Sequence, residues 1–132
     1  MTGHEPGSPA PRRHVFVVDD DAAIRNMVVR LLNINYRVTS AADPHEALAV
    51  ASRESVIDLL LLDVMMPGMN GFELAKQLRL LPSCEKACLI FLTARDLPGD
   101  KIKGIQAGAR NYIVKPFVIE DLLTRVKKAL TY

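Results

Sequence analysis

The sequence predicts an α/β domain, one parallel sheet covered by helices on both faces, and three observations carry that expectation. Short apolar runs alternate along the 132 residues with stretches whose apolar residues recur at helical spacing. The run from Ile57 to Leu62 is bulky on both alternating faces, as in a strand that helices cover from either side. Every connection between runs is long enough for a crossover, and crossovers between parallel strands are right-handed.

Residues Met1 to Arg13 hold three prolines, two glycines and almost nothing apolar, so they are expected to form a flexible leader (1–13) ahead of a domain over residues 14–132. His14 to Val18 reads as the first strand, closed by three aspartates. Ile24, Met27, Val28, Leu31 and Leu32 form one stripe of a helix over Ala22 to Leu32. Tyr36 to Ala41 reads as the second strand. Asp43 and Pro44 then supply an N-cap and a first-turn proline for a helix through Ala47, Leu48 and Ala51. Ile57 to Leu62 is the third strand, ended by Asp63. A turn with Pro67, Gly68 and Gly71 leads to a third helix over Phe72 to Leu80, which Pro82 stops. Ala87 to Leu92 forms the fourth strand, closed by Thr93. Pro98 and Gly99 open a fourth helix to Ala107, with Gly108 placed to end it. Tyr112 to Val114 is a short fifth strand, and Phe117 to Leu130 resumes helical spacing through Leu122, Leu123, Val126 and Leu130.

The composition, 49% hydrophobic and 24% charged, is that of a globular domain and excludes a disordered or fibrous chain. A chain of this size buries about 70% of its unfolded surface, enough for a core without disulfide or metal staples. Cys84 and Cys88 have no second pair and no nearby histidine, so they read as reduced structural thiols. No apolar run approaches a membrane span, and the proline-rich start lacks the apolar stretch of a secretory signal, so a cytoplasmic location is expected. The net charge of +2 gives no overall field toward nucleic acid, which leaves function to specific groups.

Open parallel sheets take ligands outside the carboxyl ends of their strands. Here Asp19, Asp20 and Asp21 end the first strand, Asp63 the third, Thr93 the fourth and Lys115 the fifth. Singly, each has an ordinary explanation as a helix cap, a β-former or a solvated charge. Capping does not, however, require acids on two strands with a hydroxyl and an amine on two others. At the sheet edge Asp63 places a further carboxylate beside those of the first strand. Asp19 and Asp20 cannot share a small site with it unless positive charge is present. A hard divalent ion, Mg2+ or Mn2+, meets that need through oxygen ligands.

The motifs VVDDD (Val17 to Asp21), LLLLDVMMPGMNGFEL (Leu59 to Leu74), FLTAR (Phe91 to Arg95) and AGARNYIVKPF (Ala107 to Phe117) occur in that order. From His14 to Leu130 the chain resembles the receiver domain of bacterial two-component response regulators, the CheY-like superfamily. The resemblance implies a flavodoxin-like three-layer (βα)5 fold with strand order 2-1-3-4-5. It implies Asp63 as phosphoacceptor, and metal ligation by Asp20, Asp63 and the backbone carbonyl of Met65, with Asp19 acting mainly through water. Thr93 is placed to donate its hydroxyl to a phosphoryl oxygen, and the small Ala94 beside it leaves access open. Lys115 supplies a counter-charge, and the resemblance implies a cis peptide between Lys115 and Pro116. Tyr112 is expected to swing inward when Thr93 is drawn to the phosphate, reshaping the surface of the fourth helix, fifth strand and fifth helix. The implied partners are a sensor histidine kinase or phosphotransfer protein, recognised near the first helix, and an output domain or separate protein partner. No direct nucleic-acid or membrane contact is expected, and no catalysis beyond the domain's own phosphotransfer and dephosphorylation.

Several positions depart from the family's habit. Arg110 and Asn111 stand where acids are frequent, which argues against assuming the dimer those acids support. Asn70 replaces a frequent Asp and Asn35 a usual Gly, both expected to lie away from the chemistry. Met65 and Arg95 flank the route of an attacking water, and their size is expected to slow loss of the acyl phosphate. Among rival readings, a Mg2+-dependent aspartyl-phosphate phosphatase would need a second acid where Met65 stands. A flavin carrier would suffer repulsion between Asp20, Asp63 and the FMN phosphate. A receiver-like module that is never phosphorylated would not require the full acceptor set. The sequence stops at Tyr132 after the last helix, so either the output is made by protein contact or the sequence is a piece of a longer regulator whose next domain binds DNA.

Overall fold

A computed structural model of the chain describes residues 12–131. Most of the expected leader lies outside these residues. Of its last two, Arg12 donates to the Asn33 carbonyl (3.0 Å), and Arg13 donates to Asp58 Oδ1 (3.0 Å) and the Leu130 carbonyl (3.3 Å).

The elements are β1 (His14–Val18), α1 (Ala22–Leu32), β2 (Arg37–Ala41), α2 (Pro44–Arg53), β3 (Leu59–Leu62), α3 (Gly71–Arg79), β4 (Cys88–Thr93), α4 (Pro98–Gln106), β5 (Asn111–Val114) and α5 (Ile119–Leu130). The five strands form one sheet in the order β2-β1-β3-β4-β5, and every pairing is parallel. This is the doubly wound arrangement expected from the sequence.

Alternate residues of each strand feed opposite layers. Phe16, Val18, Leu60, Leu62, Leu89 and Phe91 pack with α2 and α3 through Ala47, Val50, Leu74 and Leu78. Val15, Val17, Leu59, Leu61, Ile90 and Leu92 pack with α1 and α5 through Val28, Leu32, Leu122 and Val126. The leucines of β3 are at most 1% exposed, and burial of each contributes about 1.5–3 kcal/mol, so β3 is the axis of both layers. No helix among the described residues is long and apolar enough to cross a membrane.

The start of α2 follows the cap read from sequence, with Asp43 accepting from the Glu46 amide, and Asp21 caps α1 in the same way by accepting from the Ile24 amide. Gly108 follows α4 at φ 88°, a left-handed conformation that favours glycine at a helix end. Most boundaries shift by a residue or so from the sequence reading, and those of β3, α3 and α5 shift for identifiable reasons. β3 begins at Leu59 because Ile57, although buried, gives its amide to the Ser83 carbonyl outside the ladder. Pro82 opens a short 3-10 turn over Pro82–Cys84, after α3 has already ended at Arg79. α5 begins at Ile119 rather than Phe117, with Val118 as its N-cap residue. Cys84 and Cys88 are both free thiols.

Candidate functional site

Parallel pairing brings the ends of β1, β3, β4 and β5 to one edge. The Asp63 amide continues the ladder by donating to the Val18 carbonyl (2.9 Å), so Asp63 stands beside Asp19. Asp19 and Asp63 are buried, 3% and 5% exposed, while Asp20 faces solvent. One carboxylate oxygen from each of Asp19, Asp20 and Asp63 lies within 4.8 Å of the others. Across the sheet the Lys115 amide bonds to the Thr93 carbonyl (2.8 Å), and the Lys115–Pro116 peptide is cis. The Lys115 ammonium donates to Asp19 Oδ2 at 2.7 Å and to Asp63 Oδ2 at 3.3 Å.

One ammonium against three carboxylates leaves negative charge uncompensated. Burial raises the Asp19 pKa above the ordinary carboxylate value, outweighing the hydrogen bonds from Lys115 and the Asp21 amide. Burial by itself would lower the Lys115 pKa, but the bond to Asp19 and the charges of Asp63 and Asp19 hold it above the usual lysine value. Hard oxygen donors in close array, excess negative charge and a solvent-facing member at Asp20 fit a divalent cation such as Mg2+. Asp19, Asp20, Asp63 and the main chain at Met65 are the groups that would hold it. The Met65 amide donates to Asp63 Oδ1 (3.1 Å), which sets that main chain against the Asp63 carboxylate, while the Met65 side chain is 53% exposed. Met65, Asp20, Asn70 and Arg95 line one cavity of about 400 Å³. Asn70 is therefore closer to the chemistry than its sequence position suggested. It also caps α3, accepting from the Glu73 amide.

Thr93 is fully buried at the end of β4, and its hydroxyl oxygen accepts from the Arg95 amide (3.2 Å). Its hydroxyl hydrogen has no acceptor among the described residues and is free to donate into the site. Ala94 is exposed beside it. Tyr112 is half-buried, and its hydroxyl donates to the Arg95 carbonyl (2.7 Å). Burial, then the nearby Asp100 charge, pushes the Tyr112 pKa up to about 12. Arg95 thus joins Thr93 to Tyr112 through its own peptide groups. Its side chain pairs through Nε with the Asp100 carboxylate on the first turn of α4.

Three contributors were not legible as such. Gly71 reads in the sequence as a turn residue, but its constraint in the fold is that a Cβ there would fall 2.2 Å from the Asp63 carbonyl oxygen. Gly104 admits the Tyr112 ring, since a Cβ there would meet Tyr112 Cδ2 at 3.0 Å. Asp100 carried only the ordinary signal of an acid in a first helical turn. Asn111, where an acid is frequent, instead accepts a hydrogen bond from Arg125.

Comparison with known proteins agrees with this geometry. The family profile described as response regulator receiver domain matches residues 15–127. Response regulator MprA of Mycobacterium leprae is 41% identical over 117 residues, 88% of this chain and 50% of that protein. The chain spans about half the length of the curated relatives it matches. Among solved structures, Vibrio cholerae chemotaxis protein CheY4 is 38% identical, with a TM-score of 0.82 over 90% of this chain and 99% of that one. A CheY-like response regulator receiver domain protein from Methanospirillum hungatei is 32% identical, with a TM-score of 0.82 over 90% and 94% of the two chains. The chain belongs to the response regulator receiver domain family of two-component systems.

Proposed function

We propose that Asp63 accepts a phosphoryl group from a sensor histidine kinase or phosphotransfer protein, and that the α4-β5-α5 surface reports it to an output. The observation that carries this reading is the Lys115 ammonium bridging Asp19 and Asp63 at the sheet's carboxyl edge, with Asp20 completing the cluster. An Asp63 carboxylate oxygen attacks phosphorus as the bond to the donor breaks, and the departing group leaves with the bonding pair. Lys115 and the Thr93 hydroxyl stabilise charge spread over the phosphoryl oxygens, which is where catalysis of phosphoryl transfer resides. A bound Mg2+ or Mn2+ supplies further charge neutralisation there. The domain catalyses its own phosphotransfer and dephosphorylation rather than turning over an external substrate.

Tyr112 and the apolar side chains around it support the output assignment. Ile102 and Ile105 on α4 and Val118 and Ile119 at the start of α5 are 43–72% exposed, and Ile105 shares a surface cavity with Tyr112. This face meets the output, whether a further domain of a longer regulator or a separate cytoplasmic protein. It does so without contact by this domain to nucleic acid or membrane.

Incubation with Mg2+ and acetyl phosphate, followed by intact-mass measurement, tests the reading. One phosphoryl group per chain, stable in acid, labile in base and lost in Asp63→Asn, is the expected result. Continuous release of phosphate from external phosphomonoesters would identify a phosphatase instead. An unmodified chain in the presence of bound Mg2+ would identify a module that is not phosphorylated.

A further inference from the structure

The receiver chemistry makes no use of Asp100, yet this carboxylate is 3% exposed and ion-paired to Arg95, whose side chain is 40% exposed. A buried carboxylate is retained where a partner compensates it, and the partner here lines one cavity with Asp20 and Met65. Pairing through Nε restrains the guanidinium plane and leaves the Nη donors without a protein acceptor among the described residues. The Arg95 peptide groups are separately fixed, by Thr93 on one side and Tyr112 on the other. Backbone and side chain are therefore both immobilised, although the loop before α4 lies at the surface.

We infer that Asp100 is a positioning residue: it holds the Arg95 guanidinium beside the cavity that Asp20 and Met65 line, where Arg95 contacts the aspartyl phosphate and obstructs the approach of water. The inference rests on Asp63 being the phosphoacceptor. The step it controls is hydrolysis: a water oxygen bonds to phosphorus, the bond from phosphorus to the Asp63 oxygen breaks, and the carboxylate takes the electron pair. A water proton passes to solvent, and inorganic phosphate leaves. Without Asp100 the guanidinium swings out to solvent, and the water path opens.

The test is the lifetime of the phosphoryl group on the Mg2+-loaded chain, charged with acetyl phosphate and then freed of donor. Arg95→Ala and Asp100→Asn are each expected to speed its loss by about tenfold, the rate equivalent of one charge-assisted hydrogen bond. The double variant is expected to be no faster than either single one, because the two residues act as a unit. Arg95→Lys, at a part-exposed position that does not threaten folding, keeps the charge but lacks the guanidinium fork. It is expected to lose phosphate as fast as Arg95→Ala.

An unchanged lifetime in folded Asp100→Asn, multiplied effects in the double variant, or a wild-type lifetime in Arg95→Lys each overturns the inference. A wild-type chain that takes up no phosphoryl group at all points instead to failure of the Asp63 assignment.

Discussion

The first residue of α3, Gly71, lies against the main chain of Asp63 so closely that a Cβ would sit 2.2 Å from the Asp63 carbonyl oxygen. The Gly71 amide also donates to the Val64 carbonyl (2.9 Å), which ties the start of α3 to the residue after Asp63. No rotamer change relieves a clash with backbone. Gly71→Ala is expected to cost about 3 kcal/mol, the upper end for overpacking, in urea unfolding. Its Mg2+ affinity is expected to fall as Asp63 shifts; retention of both values would show that the loop yields freely.

Replacing Lys115 with Met leaves Asp19 buried and unpaired. Breaking a buried pair in this way costs about 3 kcal/mol or more at neutral pH. A carboxylate whose folded pKa lies above its unfolded value gives stability that is present below the unfolded value and lost as pH rises through the folded one. Asp19 is of this kind, so the deficit of Lys115→Met is expected to shrink in acid, where Asp19 is protonated. It also closes in strong alkali, because Lys115 itself deprotonates only above the usual lysine value. Unfolding curves across pH measure both ends.

Asp20 is exposed and belongs to the carboxylate cluster. Asp20→Asn therefore removes a candidate metal donor and a repulsive charge together. In the absence of metal its Tm is expected to be no lower than that of the parent chain. The rise in Tm that millimolar Mg2+ produces by binding the folded state is expected to disappear. A variant that still gains the full rise would remove Asp20 from the metal site.

Tyr112 titrates late because its hydroxyl is half-buried and near Asp100. An ultraviolet titration of phenolate formation is expected to show a step at about 12 that Tyr112→Phe abolishes. Since the folded pKa exceeds the unfolded value, the associated stability is intact below the usual tyrosine range and is lost as pH climbs through that step. At neutral pH the loss of the bond to the Arg95 carbonyl is expected to cost about 1 kcal/mol in chemical unfolding.

Much of this architecture is written locally. The unbroken leucines of β3, the Asp43 cap and the stripe of α1 are properties of short segments, and each lies where the sequence pattern put it. The polar strand ends were legible because a parallel sheet sends all its carboxyl ends to one edge. Ile57 was misread as strand because apolar character reports burial, whereas ladder membership is decided by which carbonyl its amide meets. The pairing of Arg95 with Asp100 and the seats of Gly71 and Gly104 depend on how loops close over the sheet. Such distances leave no periodicity in the chain.

Arg95 meets Thr93 and Tyr112 through peptide atoms that every amino acid except proline supplies, and meets Asp100 through a side chain that only arginine supplies. Mutation at this codon can therefore reset how long a signal lasts while the wiring that broadcasts it stays in place. Timing and transmission, which share one residue, are free to evolve apart.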